Sequence, residues 1–296
     1  MARTALHADE AGLAMRLILS RKGFDSASGG CASPIFPDGS MIALPIPDKR
    51  SPVRYTDLTW RGRNLGRVVE RLTGGRQRRD YRAHLDPDLR RADLRRDRGW
   101  RPSLGQVGAA QGHLRKQGVG AGDLFLFFGL FRRVNADLRW AGPPEHRIWG
   151  WMQVGEVARV DADVRGGGKQ WAWAERHPHL AFDPNPMNTL YVAAGRLALP
   201  GTRATTEAGH GVVELAVNSH RLTAPDAARA SKWALPTAFL PRGRRPLTFH
   251  ADTGRWSERD GVALLDVVSR GQEFVLDLDE YPDVVPWVAE LLDATA

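Results

Sequence analysis

The chain has 296 residues, 42% of them hydrophobic, enough to bury a substantial core in one elaborated domain. No apolar run approaches the ~18 residues of a membrane span, and one cysteine, Cys31, excludes a disulfide framework and a cysteine-rich zinc site; a cytoplasmic protein with no membrane partner is expected. A formal charge of +8 points instead to a polyanionic partner.

In chain order, residues 1–14 are expected to be a disordered extension, because the first strand pattern, "MRLILS", begins at Met15. A second strand is expected in "SMIALPIP", ended or held at a sheet edge by Pro45 and Pro47. Between them lies "RKGFDSASGGCAS", dense in glycine and small polar residues. Arg21, Lys22, Asp25 and Ser26 offer charge and a base–nucleophile pair, while Gly29, Gly30 and Ser33 would let backbone N–H groups approach an anion. The same residues also suit a structural Asx-type turn, since their spacing fits neither a Walker loop nor a dinucleotide fingerprint.

"GRNLGRVVERLTGG" reads as a helix through Leu65, Val68, Val69 and Leu72, ended by a glycine pair. Residues 61–101 hold 14 Arg against six acids, a local excess equal to the net charge of the whole chain. This segment is expected to be an arm or insertion whose Arg76, Arg78, Arg79 and Arg82 meet phosphates; the competing expectation is a solvated, salt-bridged face. Within it, "HLDPDL" sets His84, Asp86 and Asp88 at alternate positions. An extended chain would turn all three to one side as candidate metal ligands, although Asp-Pro-Asp is also an ordinary turn.

"PSLGQVGAAQGHLRKQGV" predicts a helix with Ser103 and Gln106 as a capping box. Its Gln106, Gln111 and His113 either read a base edge or form an exposed polar face. Strands are predicted in "GDLFLFFGLF", "RIWGWMQVGEVARV", "NTLYVAA", "GVVEL" and "EFVLDL", and a short amphipathic helix in "PDVVPWVAELLDA". In "WAWAERHPHL", Trp171, Trp173 and His177 make a stacking wall for a nucleobase, or else core tryptophans beside a turn at Pro178. His177 and His179 as zinc ligands lack evident partners. Strand content exceeds helix content in mixed order, which predicts an α+β protein.

Several blocks taken together, "SRKGFDSASGGCASPIFPDGSMIALPIPD", "HLDPDL", "GQVGAAQGHLRKQGVGAGDLFLFFGLFR", "NPMNTLYVA" and "SKWALPTAF", resemble the third of the nucleotide-modification-associated domain families over roughly residues 15–250. The resemblance implies DNA or a nucleotide as partner, a role in DNA base modification, and the company of other DNA-modification proteins. The middle of the chain, residues 118–220, is similar to PUA-like barrels of the EVE and ASCH kind, which implies a PUA-like β-barrel core with flanking helices and a base pocket.

The expectation is therefore a single α+β domain over residues 15–296 that acts on a nucleobase in DNA, with Arg21, Lys22, Asp25 and Ser26 supplying charge and proton transfer. Three alternatives stay open: a non-catalytic reader of modified DNA, a metal-dependent nuclease using His84, Asp86 and Asp88, and an accessory subunit with a basic face. No donor-binding fingerprint appears, so the cofactor is unknown.

Overall fold

Side-chain alternation along a strand sorts the first apolar run onto two faces. Leu17 and Leu19 join Leu126, Phe128, Trp233 and Phe274 in one buried cluster, while Ile18 joins Phe125, Phe127, Met152 and Tyr191 in another. A sheet covered on both faces gives strands that read as continuous apolar runs, as these do. The computed structural model describes residues 15–201, 207–269 and 271–293. The extension expected over residues 1–14 lies outside the described residues.

The first strands are β1 (Arg16–Arg21), β2 (Ser33–Ile35), β3 (Ile46–Pro47), β4 (Thr59–Trp60), β5 (Arg63–Asn64), β6 (Ala83–His84) and β7 (Ser103–Gln106). They are followed by β8 (Leu124–Val134), β9 (Trp140–Arg159), β10 (Thr189–Ala193), β11 (His210–Val212), β12 (Lys232–Pro236), β13 (Trp256–Arg259), β14 (Val262–Asp266) and β15 (Glu273–Asp277). Three α-helices, α1 (Leu65–Leu72), α2 (Gly108–Lys116) and α3 (Val285–Asp293), complete the frame among the described residues.

Eight of these strands form the main sheet in the order β15-β1-β8-β9-β10-β7, with β2 beside β8 and β11 beside β9. Register shifts at Phe127/Phe128, Phe131/Arg133 and Val192/Ala193 bend the long strands, and the sheet curls into a half-barrel. The protein is thus mixed α+β and strand-rich. A second sheet, β12-β14-β13, and α3 cover one face through Trp233, Leu265 and Val288.

Two sequence expectations change. Ser103–Gln106 is not the capped start of a helix but strand β7, paired antiparallel with β10, and α2 begins at Gly108. All four of its residues are buried, so the neighbouring strand takes the hydrogen bonds a capping box would have satisfied. The segment 232–266, in which no strand was expected, supplies the second sheet.

The glycine-rich loop has a definite topological place. β1 and β2 both run parallel to β8, with Arg21 opposite Phe128 and Ser33 opposite Phe131. Residues 22–32 therefore leave the sheet and return to the same partner strand. This excursion and the Arg-rich segment share a hydrophobic cluster containing Phe24, Phe36, Trp60, Leu65, Val68 and Leu94. Helix α1 starts where the Asn64 side chain accepts a hydrogen bond from Arg67 N at 3.3 Å.

Candidate active-site cleft

A cleft of about 340 Å³ opens where the excursion, β6, the end of β7 and the turn after Pro178 meet. Arg21 lines it from the end of β1, Lys22, Asp25 and Ser28 from the loop, Gln106 from β7, and His84, Asp86, His179 and Phe182 from the opposite side.

Asp86 is the hub. Its Oδ1 accepts the Gly105 backbone N–H at 2.7 Å and faces His177 Nε2 at 3.4 Å. Its Oδ2 lies 3.7 Å from His84 Nε2 and 3.7 Å from His179 Nε2. One ligand atom from each of His84, Asp86 and His179 falls within 4.8 Å of the others.

The outer partners assign the ring protons. His84 Nδ1 lies 2.9 Å from the Asp48 carboxylate, a partner that only accepts, so Nδ1 donates. His179 Nδ1 lies 2.7 Å from Asn188 Oδ1, whose amide orientation is set because Asn188 Nδ2 donates to the His179 carbonyl at 2.8 Å. His177 Nδ1 instead accepts the His179 backbone N–H at 3.3 Å, which leaves its proton on Nε2, toward Asp86. His177 Nε2 is buried and makes no well-aligned hydrogen bond among the described residues.

Burial opposes charge at these groups, and the contacts decide the outcome. Burial disfavours the Asp86 carboxylate, yet the imidazoles of His177, His84 and His179 gathered around it bring its pKa well below the ordinary value. At Asp48 burial is likewise outweighed, by His84 and the Arg50 backbone, and the pKa is lowered. Burial lowers His84 too, but its two carboxylate partners win and raise it. His179 is lowered to about 4, by burial above all.

The opposite wall is a buried polar knot. Lys22 Nζ contacts Glu273 Oε1 at 2.9 Å, and Gln106 donates its amide to the same oxygen. Among the described residues Glu273 Oε2 finds no hydrogen-bond partner, although it is buried. At the rim, the Arg50 guanidinium lies 4.0 Å from the centre of the Phe182 ring.

Of the sequence candidates, Arg21, Lys22, Asp25 and Gln106 line the cleft together, and His177 stands behind Asp86. Asp25 Oδ1 accepts Ala27 N and Ser28 N at 2.8 and 2.6 Å, the hydrogen bonds of an Asx turn, and Ser26 is exposed on that turn. Gly29, with φ of 92°, packs against the Phe24 ring, and the Gly30 carbonyl accepts from Arg76 at 3.1 Å. Ser33 Oγ accepts the Leu44 N–H at 3.0 Å inside the protein.

Other candidates lie away from the cleft. Gln111 accepts from Tyr191 Oη at 3.0 Å in the core, and His113 contacts Thr248 Oγ1 at 3.1 Å. Trp171 and Trp173 are buried with Val160 and Leu190 rather than forming an exposed stacking wall. Arg78 pairs with Asp80, Arg79 stands 3.9 Å from Glu70, and Arg82 donates to the Ser51 carbonyl at 2.7 Å. Asp88 is not beside His84 and Asp86 as the alternation predicted. It is held by both Arg96 guanidinium nitrogens and by Trp100 Nε1 at 3.1 Å, and its backbone bridges Ser103.

His84 and Asp86 stand near one another as their alternation suggested, but nothing local joined them to His179, Asp48, Asn188 or Glu273. The available signal was a pair of two-residue steps, His84-x-Asp86 and His177-x-His179, each short enough to present both side chains to one point. Among the described residues no helix is long and apolar enough to cross a membrane. No curated protein and no solved structure matches the chain. The family described as nucleotide modification associated domain 3 matches residues 16–277, nearly the whole length over which this fold is built, and the chain belongs to that family.

Proposed function

We propose that the cleft receives a nucleobase or nucleotide of DNA and that the protein modifies it there. The observation that carries this is the meeting of the glycine-rich excursion, the Gln106 wall and the His84–Asp86–His179 cluster around one cavity, in a chain of a nucleotide-modification family. A volume of about 340 Å³ falls at the lower end of the ~300–1,000 Å³ of small-ligand sites. Converging titratable groups in such a cleft mark a site of chemistry more than a site of packing.

The surroundings suit a nucleic-acid substrate. Arg50 sits at the rim with its guanidinium face over Phe182, a surface on which a base can stack or a phosphate can pair. A shallow groove of about 680 Å³ continues from the cleft past Pro47 and Asp48 to Lys49, Arg54, Arg82 and the exposed Tyr81. Basic groups beside an exposed aromatic ring provide both backbone neutralisation and stacking. A base reacting in the cleft would be extracted from its helix or already unpaired.

Nucleoside mass spectrometry of DNA from cells with and without the intact gene and its neighbours tests this. A nucleoside that disappears on deletion supports the proposal. An unchanged profile together with retained DNA binding would replace it with a non-catalytic reader of modified DNA.

A further inference from the structure

We propose that His84, Asp86 and His179 bind one divalent first-row transition-metal ion through His84 Nε2, Asp86 Oδ2 and His179 Nε2, with the remaining coordination positions facing the cleft. The inference does not depend on which substrate the cleft receives.

Four observations lead to it. First, each ring turns Nδ1 to its outer partner and Nε2 toward Asp86 Oδ2. In the neutral rings both Nε2 atoms carry lone pairs, and an ion between them and Asp86 would take the place of a proton on His84 Nε2. Second, each ligand has an outer partner of the kind metal sites use: Asp48 behind His84, Asn188 behind His179, and Gly105 N–H with His177 behind Asp86.

Third, those partners occupy Asp86 Oδ1, so Oδ2 alone is left for the ion. The buried, poorly aligned His177 Nε2 is aimed at the same carboxylate and reads as support for it. Fourth, the spacing is close to that of a coordinated set. Metal bonds of about 2.0–2.2 Å put neighbouring ligand atoms roughly 3–3.5 Å apart. Asp86 Oδ2 already lies 3.7 Å from each imidazole nitrogen, and even the widest ligand separation needs to close by no more than roughly 1.8 Å.

The donor set selects the class of ion. Two imidazoles and one carboxylate suit zinc, iron, cobalt, nickel or manganese, whereas calcium and magnesium prefer all-oxygen sites. Three protein ligands are fewer than a closed structural site uses, and the cleft lies on the open side. An ion there would polarise a bound oxygen or activate a water against the substrate.

The test is a visible-absorption titration of the full chain with Co(II), after dialysis against chelator, followed by competition with Zn(II). One Co(II) per chain, held tighter than about 10 µM and displaced by Zn(II), is the expected result. His84→Gln and His179→Gln should each weaken it by more than ~100-fold, and Asp48→Asn, which keeps all three ligands, by ~10–100-fold. Circular dichroism confirms that each variant folds. If a ligand variant does not fold, Asp48→Asn decides. Weaker or absent binding by the wild-type chain, or affinity unchanged in the folded variants, overturns the site and leaves His84 as an imidazolium held between two carboxylates. Loss of the modified nucleoside is a separate readout, so the metal site and the proposed function can fail independently.

Discussion

Gly105 has no side chain, and the His179 imidazole uses the space. A Cβ at position 105 would lie 2.2 Å from His179 Cδ2, while the Gly105 N–H holds Asp86 Oδ1. Gly105→Ala must therefore push the ring off its Asn188 contact without removing any ligand. The expected cost is ~1–3 kcal/mol of stability, from urea denaturation, and at least a ~10-fold loss of Co(II) affinity. If neither quantity changes, His179 is not held where the cluster requires. At this scale the sequence was partly legible. Alternation in "HLDPDL" brought out His84 and Asp86, because side chains two apart on extended backbone share a side. It misplaced Asp88, because the claim of Arg96 and Trp100 on that carboxylate is invisible in local spacing. His179 was seen only as a ligand without partners, since it stands 93 positions along the chain from Asp86.

Strands with long apolar runs were legible as elements, and those whose residues also suit another structure were not. Ser103-x-x-Gln106 has the spacing of a capping box, and nothing local says that β10 lies alongside to make it a strand. Strands β12 and β13 went unseen because Pro236, Glu258 and Arg259 dilute their pattern, and the apolar run of β14 went unseen with them. The excursion between β1 and β2 raised the question of anion binding, and its ends answer part of it. Lys22 leaves β1 straight into a contact with Glu273 on β15, which also accepts from Gln106 on β7. Three strands thus meet at a carboxylate only 1% exposed, and Lys22 supplies its counter-charge. Lys22→Met should cost about 3–5 kcal/mol in urea denaturation, because it strands a buried charge. Lys22→Met combined with Glu273→Gln should recover much of that loss, since the neutral amide carries no charge to strand. A double variant less stable than the single one would show that the charge is not the source of the cost.

Across the whole molecule, charge counting gave the sign of residues 61–101 but not their partners. Arg61 and Arg90 both reach Glu214, and Arg101 reaches Glu156, acids far away in sequence. The same segment donates Leu65, Val68, Val69 and Leu72 to a core shared with the glycine-rich excursion, so it helps build the wall of the cleft. Burial of titratable groups across these cores makes stability depend on pH, with opposing signs. His250 is fully buried. Its Nδ1 faces the Thr248 carbonyl at 2.9 Å and its Nε2 accepts the Val268 N–H at 3.2 Å, so it must be neutral. Burial lowers its pKa to about 4, and also that of His146, whose Nδ1 accepts from Trp233 Nε1 at 2.9 Å. Between pH ~6.5 and 4 the unfolded chain takes up protons that these folded histidines refuse, so each removes up to ~1.4 kcal/mol of stability per unit of falling pH. Asp93 acts in the opposite sense. Burial raises it to about 7 against Arg90 at 3.0 Å, so from pH ~7 down to 4 the folded state holds the extra proton and gains stability. The opposing signs are separable by substitution. Urea denaturation at pH 6.5, 5.5 and 5 should show the change of stability with falling pH shifted toward loss in Asp93→Asn and toward gain in His250→Asn, relative to the wild-type chain. Parallel slopes in all three proteins would mean that neither group titrates differently on folding.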